Sequence, residues 1–190
     1  MSMLGMEPII ADVLALLKAG MAAKVSLLLS VDGVSVALPL PDPTSGYHGW
    51  LTDPTLLPTY PSILVRRGPR HVVGEKAIGG EYEIENHFAV DIVVFGQDNA
   101  TLTLQMDRYI RAVCELLLTP QALTSGQCDL VRVGYEEPQL YDRESGDYLQ
   151  DVPVFFTCTT YETPPDHLEY RAVATGSSAS LRTSSAALDH

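Results

Sequence analysis

The sequence is poor in cysteine and lacks the spacing that marks a disulfide framework or a metal site. Its three cysteines, Cys114, Cys128 and Cys158, form no CxxC pair and have no histidine at ligand spacing. An odd, scattered set of thiols is typical of a reducing compartment rather than of a disulfide-stapled secreted domain. We therefore expect small buried apolar side chains at these positions, not a redox or metal centre.

Positive charge is also scarce. Lys and Arg number 12 against 24 Asp and Glu, which gives a formal net charge of −12. Such a chain repels a polyphosphate at long range, so the composition argues against a sequence-specific DNA or RNA binder. This charge is still compatible with a surface along which nucleic acid passes without binding.

Long uninterrupted apolar runs are absent. The most apolar stretch, "IIADVLALLKAGMAAKVSLLLSV", is interrupted by Asp12, Lys18 and Lys24 and has no basic segment before it. A membrane helix needs about 20 consecutive apolar residues, and a signal peptide needs a basic start. The sequence therefore predicts neither, and we expect a soluble protein with no membrane partner.

Catalytic and cofactor motifs are missing as well. No phosphate-binding, dinucleotide-binding, zinc-protease, nucleophile-elbow or EF-hand pattern occurs, and the five histidines lie in separate segments. His87 is expected at a surface or interface.

Glu81, Glu83 and Glu85 share one strand face, but same-face neighbours stand roughly 6–7 Å apart, too far for one tight metal site. We expect no enzyme activity, no cofactor and no metal.

The N-terminal part predicts a helix over Glu7–Ala19 that ends at Gly20, since Ile9, Val13, Leu16 and Leu17 form one stripe. Two short strands, Lys24–Ser30 and Val34–Leu38, would follow around a turn at Asp32-Gly33. One longer helix through Leu29 is the alternative.

The middle of the chain predicts loops around one short strand. Pro39–Pro61 is too dense in proline for a helix or a central strand, and six apolar residues would anchor it. Ser62–Arg67 predicts a short strand, and Gly68–Gly80, with four glycines, a mobile arm or extended loop. The expected loop anchors are Tyr47, Trp50, Leu51, Leu56, Leu57 and Tyr60.

The clearest periodicity lies in "EYEIENHFAVDIVVFG", residues 81–96. Apolar residues occupy even positions from Tyr82 to Val94, and the acidic residues occupy odd ones. This alternation predicts a long strand with one buried and one acidic face. The acidic face, lining either a lumen or an interface, comprises Glu81, Glu83, Glu85 and Asp91.

The C-terminal part predicts one helix and two strands. Leu102–Leu118 carries a single apolar stripe, with Asp98 or Asn99 as its cap. Strands Asp129–Tyr135 and Val152–Tyr161 are separated by a loop with a hairpin turn in "YDRESGDY". Pro153 suggests a sheet edge or an unpaired strand start.

Together these elements predict an α+β fold. Two helices would cover one face of a mostly antiparallel, twisted sheet, with a long hairpin arm and extended loops. We expect one domain over residues 1–171, including a Pro-rich loop at 39–61 and an arm at 68–80. Residues 172–190 form an Ala/Ser-rich tail with little apolar area of its own.

Four segments carry a resemblance to a known family. These are "LPTYPSILVRRG", "EYEIENHFAVDIVVFG", "LTLQMDRYIRAVCELLL" and "QDVPVFFTCTTYE". In this order they resemble the tail terminator and neck (tail-completion, head-tail joining) proteins of tailed bacteriophages, over roughly Pro58–Glu162. The likeness lies in the order of elements and the character of their residues rather than in catalytic motifs.

The resemblance implies a structural role in the virion. Such proteins form rings, usually hexameric, that end the tail tube and join it to the head, with DNA passing through the hole. The implied partners are other copies of the chain, a tail tube protein and neck or connector proteins. The implied location is the virion, and the host cytoplasm during assembly.

The basic residues point to the contact between subunits. Arg66, Arg67 and Arg70 cluster in an acidic chain. A DNA patch is one interpretation, and a salt-bridge partner for the acidic face of an identical subunit is more economical. With the neighbouring arm residues, the candidate interface comprises Arg66, Arg67, Arg70, His71, Glu75 and Lys76.

Three alternatives stay open at this point. A head-side connector or stopper would occupy the same junction. A small hydrolase would need a clustered nucleophile and base, which the sequence does not offer. A monomeric module could hold a peptide or small ligand in the aromatic, Pro-rich loop.

Overall fold

The structure is a computed structural model, which describes residues 6–35, 38–49, 54–75, 82–119, 123, 127–133, 139–142 and 146–162. Two helices, α1 (Met6–Val31) and α2 (Asn99–Leu117), accompany six strands. The strands are β1 (Tyr47–Gly49), β2 (Ser62–Glu75), β3 (Tyr82–Gly96), β4 (Gln127–Val133), β5 (Gln139–Asp142) and β6 (Asp147–Glu162). The tail at 172–190 lies outside the described residues.

The six strands form one sheet in the order β1-β2-β3-β6-β4, with β5 also paired to β6. All pairings are antiparallel except that of β1 with β2. Both helices pack on the same face of this sheet, because one buried cluster joins their apolar stripes to β2, β3 and β6. The predicted two-layer α+β fold is confirmed.

The first helix is longer than predicted, and the hairpin prediction for Lys24–Leu38 is wrong. Helix α1 continues through Gly20 because this glycine allows close packing: a Cβ there would lie 2.3 Å from Leu116 Cδ2 of α2. The buried stripe also continues without a break to the end of the helix. Its members are Ile9, Ile10, Val13, Leu17, Met21, Val25 and Leu28.

The Asp32-Gly33 pair ends this helix rather than turning a hairpin. Gly33 has a φ of 67°, and its N–H donates to the Ser30 carbonyl at 3.3 Å. The Val34 N–H donates to the Leu29 carbonyl at 2.9 Å. These two bonds define a Schellman C-cap, which uses the same left-handed glycine as a tight hairpin turn.

By length and composition, α1 meets the criteria for a membrane-crossing helix, with a mean hydropathy of 1.7 in its most apolar window. The core helix of a soluble protein meets the same criteria. The apolar stripe of α1 lies against α2 and the sheet. The expected lack of a membrane partner stays a prediction.

The second helix follows its prediction closely. The Asp98 side chain caps it, accepting a hydrogen bond from the Ala100 N–H at 3.2 Å. The predicted apolar stripe is buried at Leu102, Met106, Tyr109, Val113, Leu116 and Leu117, and its remaining member, Ile110, is half-buried. The hydroxyl of Tyr109 donates to the carbonyl of Pro39 and so ties the helix to the start of the Pro-rich segment.

The other face of the sheet is covered in part by the Pro-rich segment. Leu57 and Tyr60 pack against Leu64, Val93 and Leu149, and they are the loop anchors there. The prediction that Leu56 is an anchor is wrong, since it lies at the end of a 3-10 turn and is exposed. Trp50 and Leu51 lie outside the described residues.

Strand β3 is buried on both faces over Ala89–Val94. The helices cover one face and the Pro-rich segment covers part of the other. The predicted strand and its even-numbered apolar face are confirmed. The prediction of an acidic opposite face is wrong along this half of the strand.

Strands β2 and β6 are both longer than predicted. β2 runs to Glu75, so the first part of the predicted mobile arm is a strand paired with β3. β6 begins at Asp147 after a hairpin that closes with Gly146 at a φ of 74°, as "YDRESGDY" predicted. Pro153 pairs with β3 in the sheet interior, at a position between the stretches of β6 that pair with β4 and β5.

Candidate subunit interface

The predicted interface residues lie along the distal half of β2. Arg66, Arg67 and His71 are exposed there, and Arg70 is half-buried. Glu75 is the last residue of the strand, and Lys76 lies outside the described residues. The structure thus gathers the predicted cations on one strand, while their contact with a second subunit stays a prediction.

A bulge interrupts β2 among these arginines. Two residues, Gly68 and Pro69, stand opposite a single residue of β3, His87. A Cβ on Gly68 would lie 3.1 Å from the His87 carbonyl oxygen, so glycine is what allows this close approach. The extra residue also shifts the alternation of β2, so that the residues after the bulge point to the opposite side of the sheet from the one that the sequence spacing predicts. Arg67 and Arg70 consequently lie on the same side of the sheet, although an odd number of positions separates them.

Asp91 is not part of an exposed acidic face. Its side chain is 2% exposed, and it lies diagonally across from Arg66, whose side chain is 48% exposed. The guanidinium binds both carboxylate oxygens, with Nη2 donating to Oδ1 at 2.6 Å and Nε donating to Oδ2. The assignment of Asp91 to the acidic face is therefore corrected: it anchors one of the predicted interface arginines.

The acidic face is confined to the distal part of β3. Glu83 and Glu85 are half-buried there, and Glu81 lies outside the described residues. The Oε2 atom of Glu85 lies 3.8 Å from the Nε2 atom of His87. The His87 ring meets the His71 ring edge-on, with centroids 5.1 Å apart. Within the part of the chain that the structure describes, no three His, Cys, Asp or Glu side chains form a metal-binding group.

A groove lies beside the bulge, on the sheet face that points away from the helices. Arg66, Ala89 and Phe155 stand side by side on β2, β3 and β6. Ala89 is small between two large neighbours, and Gly68 adds no side chain, so a depression of about 410 Å³ remains. Pro69 and His87 complete its wall. Arg67 borders it, but its side chain leaves the sheet on the helix side, as does that of its partner Phe88. Sequence reasoning missed this groove because it depends on the register of three strands.

The distal strands form an arm with exposed apolar residues. The core cluster under the helices includes no residue of β2 beyond Val65 and none of β3 before Phe88. Beyond that point, β2 and β6 still pair with β3 out to its first residue. Val72, Val73 and Tyr161 of this arm are 39%, 53% and 47% exposed. We call this extension the arm, and it comprises residues 66–75 of β2, 82–87 of β3 and 157–162 of β6. The first residues of β4, 127–129, pair with β6 at its near end.

Of the two cysteines whose side chains are described, Cys158 is buried as predicted, and Cys114 is half-buried against the core. Burial raises the pKa of the Cys114 thiol, so it keeps its proton and is a weak nucleophile. Cys158 is fully buried in the core under the helices. The side chain of Cys128 lies outside the described part of β4.

Polar contacts on the helix layer join α1 to α2. Asp32 accepts hydrogen bonds from Arg111 at 3.1 Å and from Arg108 at 3.4 Å. The Arg111 hydrogen bond, reinforced by the charge of both arginines, holds the pKa of Asp32 below its usual value. Both arginines thus link α2 to the C-terminal end of α1.

Comparisons with known proteins add little to this geometry. No family model matches the chain, and no curated protein matches it significantly. Among solved structures, the chain is similar to one described as "Virion of native gene transfer agent (GTA) particle". The identity is 12%, the match covers 77% of this chain and 95% of that chain, and the TM-score is 0.35. A likeness at this level of identity and TM-score does not establish the function of this chain.

Proposed function

We propose that the protein is a structural component of a phage-type virion. It forms a ring at the head-proximal end of the tail, ends the tail tube and joins it to the head or neck. DNA passes through the central hole. The observation that carries the proposal is the arm, a part of the sheet that extends beyond the helix layer and carries exposed apolar side chains.

An arm of this kind suits contact with a neighbour. Val72, Val73 and Tyr161 give it apolar area that does not pack in the core under the helices. Val72 shares one face of the sheet with Ile84, and Tyr161 shares the other with Glu83, so both faces of the arm carry exposed apolar area, which is a feature of interaction sites. When an arm on one subunit meets a different surface on the next, the contact is heterologous and closes into a ring if the rotation allows. The proposed copy number, six, follows from the family resemblance.

The charge of the chain suits a conduit for DNA. A net charge of −12 disfavours lasting adhesion to phosphates. Glu83 and Glu85 are the described acidic residues that the proposal assigns to the lumen or to an interface. The proposed role uses no catalysis, cofactor or membrane. Its partners are the tail tube protein and the neck or connector proteins.

Light scattering after size exclusion, followed by negative-stain imaging, tests this function. We expect a species of several subunits and ring-shaped particles with an axial hole. A strict monomer at high concentration, both alone and with tail extract, would contradict the ring. Labelling the subunit in intact particles then separates a tail terminator from a head-side connector, because the label falls on the tail side or the head side of the junction.

A further inference from the structure

We propose that His71 and His87 bind a divalent transition-metal ion on the face of the arm that points away from the helices. The two imidazoles are the protein ligands, water fills the remaining positions, and Glu85 supplies negative charge beside them. The inference goes beyond the proposed ring and does not depend on it.

The bulge of β2 brings the two histidines to one face. Arg67, the last residue paired before the bulge, lies on the helix side with its partner Phe88. In a regular strand His71 would lie on that side too, since an even number of positions separates it from Arg67. The bulge shifts the alternation, so His71 pairs with Glu85 on the opposite face, where His87 also lies. Bulges that re-aim a side chain in this way are frequent next to functional sites.

The two rings stand at the separation that a shared ion requires. Their centroids lie 5.1 Å apart, with the ring planes at 81°. Bonds of about 2.0–2.1 Å from one zinc ion to two imidazoles put the ring centres roughly 5 Å apart in a tetrahedral site. The rings meet edge to face, so each has to turn to aim a nitrogen at the ion. His71 is exposed, the His87 side chain is 34% exposed, and Gly68 beside His87 has no side chain, so there is room for this turn.

The charges around the pair favour a cation. Glu85 lies directly across from His71, and its Oε2 atom lies 3.8 Å from the Nε2 atom of His87. Arg66, on the same face, binds both carboxylate oxygens of Asp91. The other two arginines of β2 lie on the opposite side of the sheet. The nearby negative charge of Glu85 therefore has no guanidinium of β2 directly across from it.

The donor atoms select the class of ion. Imidazole nitrogen suits Zn²⁺, Ni²⁺ and Cu²⁺, whereas Mg²⁺ and Ca²⁺ prefer oxygen ligands. No three His, Cys, Asp or Glu side chains among the described residues form a metal-binding group, so the bound ion keeps water. Because His71 belongs to β2 and His87 to β3, the ion ties these strands together beyond the core under the helices. Binding to the paired strands alone makes their opening less favourable.

Calorimetric titration of the metal-stripped full chain with ZnCl₂ at about pH 7 tests the site. We expect saturable binding of a single ion per chain, and no such binding of MgCl₂. His71→Asn and His87→Asn should each weaken the affinity at least about tenfold, because one of two ligands is lost. The double variant should bind no zinc. His167→Asn with His190→Asn removes the same number of histidines and should leave the affinity unchanged.

Amide hydrogen exchange gives a second readout. Zinc should slow exchange in residues 66–75 and 82–87 of the wild type and of the control variant, but not in the His71→Asn, His87→Asn double variant. Glu85→Gln keeps both ligands and should weaken zinc binding less than either histidine substitution. Circular dichroism confirms that each variant is folded, and if one histidine variant unfolds, the other still decides.

Three results would overturn the inference. The absence of saturable zinc binding would show that the two rings only pack against each other. Binding that survives in the folded double variant, or that disappears in the His167→Asn, His190→Asn control, would place the ion elsewhere in the chain. Light scattering measures the ring separately. Rings formed by a protein that binds no zinc exclude the metal site alone, whereas a monomer that binds zinc as expected excludes only the ring.

Discussion

Arg66 and Asp91 form a two-pronged ion pair on the sheet face that points away from the helices. The carboxylate is buried and the guanidinium is half exposed. The pair joins β2 to β3 at the level where the core under the helices ends. The pair thereby holds the Arg66 side chain in place at the edge of the groove, at the point where the arm begins.

Removing the cation alone should destabilise the protein. Arg66→Met leaves the Asp91 carboxylate buried without its counter-charge, which costs about 3 kcal/mol when one partner of a buried pair is lost. The double variant Arg66→Met with Asp91→Leu should recover most of this loss, because no charge remains buried. Urea denaturation measures both values. Arg111→Met, which breaks the exposed pair with Asp32, is the control and should have little effect. An Arg66→Met variant as stable as the wild type would show that the pair is solvated.

Deleting His71–Gly79 should leave a folded protomer and weaken ring formation or docking. The deletion begins beyond the last residue of β2 that packs under the helices, Val65, so the main core is kept. Thermal melting reports the fold, and light scattering reports assembly. Val72→Ser with Val73→Ser is a milder version, and Leu56→Ser removes an exposed apolar residue outside the arm as its control. Normal assembly of the deletion variant would show that the deleted segment is not part of the interface.

Gly20→Ala should fail to stabilise α1, although alanine is favoured over glycine in a helix by about 1 kcal/mol. The new Cβ would lie 2.3 Å from Leu116 Cδ2, so a packed side chain has to move. The same substitution made on a Leu116→Ala background should be stabilising, since the obstacle is gone. Chemical denaturation of the four proteins gives the coupling between the two sites. Equal effects on both backgrounds would mean that the helices do not meet at this residue.

Tyr109→Ala and Val113→Ala should each destabilise the fold through a cavity. Both side chains are fully buried in the core, and truncation there costs about 4 kcal/mol for the aromatic and about 2 kcal/mol for the valine. The tyrosine variant also loses the hydrogen bond to the Pro39 carbonyl. Leu104→Ala, on the exposed side of α2, is the control and should melt close to the wild type. Unchanged melting temperatures for both core variants would show that Tyr109 and Val113 do not face the core.

Acid should weaken the start of α2. A hydrogen bond from the Thr101 hydroxyl, and to a smaller extent one from the Ala100 N–H, holds the pKa of Asp98 below its usual value of 3.8. A lowered folded-state pKa contributes stability above the unfolded value and loses it as pH falls through the folded value. Asp98→Asn keeps a good cap that does not titrate, so its stability should fall less between about pH 4 and pH 2. Denaturation at a series of pH values measures this, and parallel curves for the two proteins would exclude Asp98 as the cause.

The N-terminal helix shows what local patterns leave undecided. "VDGV" contains the left-handed glycine that a hairpin turn and a helix C-cap both need, so the pattern alone fits either structure. The contact between Gly20 and Leu116 belongs to the packing of two helices far apart in the sequence. The longer helix was therefore an alternative that only tertiary packing could select.

The sequence by itself determined the elements with strong periodicity. These are β3, α2 with its Asp98 cap, and the two-layer α+β class, because alternation and helical stripes are local consequences of burial on one face. Tertiary structure decided the rest. The register of β2 against β3 and β6 paired Arg66 with Asp91, turned Arg67 and Arg70 to one side, and left Ala89 at the bottom of a groove. Register depends on which strands meet and on a two-for-one bulge, and neither is encoded within any single segment.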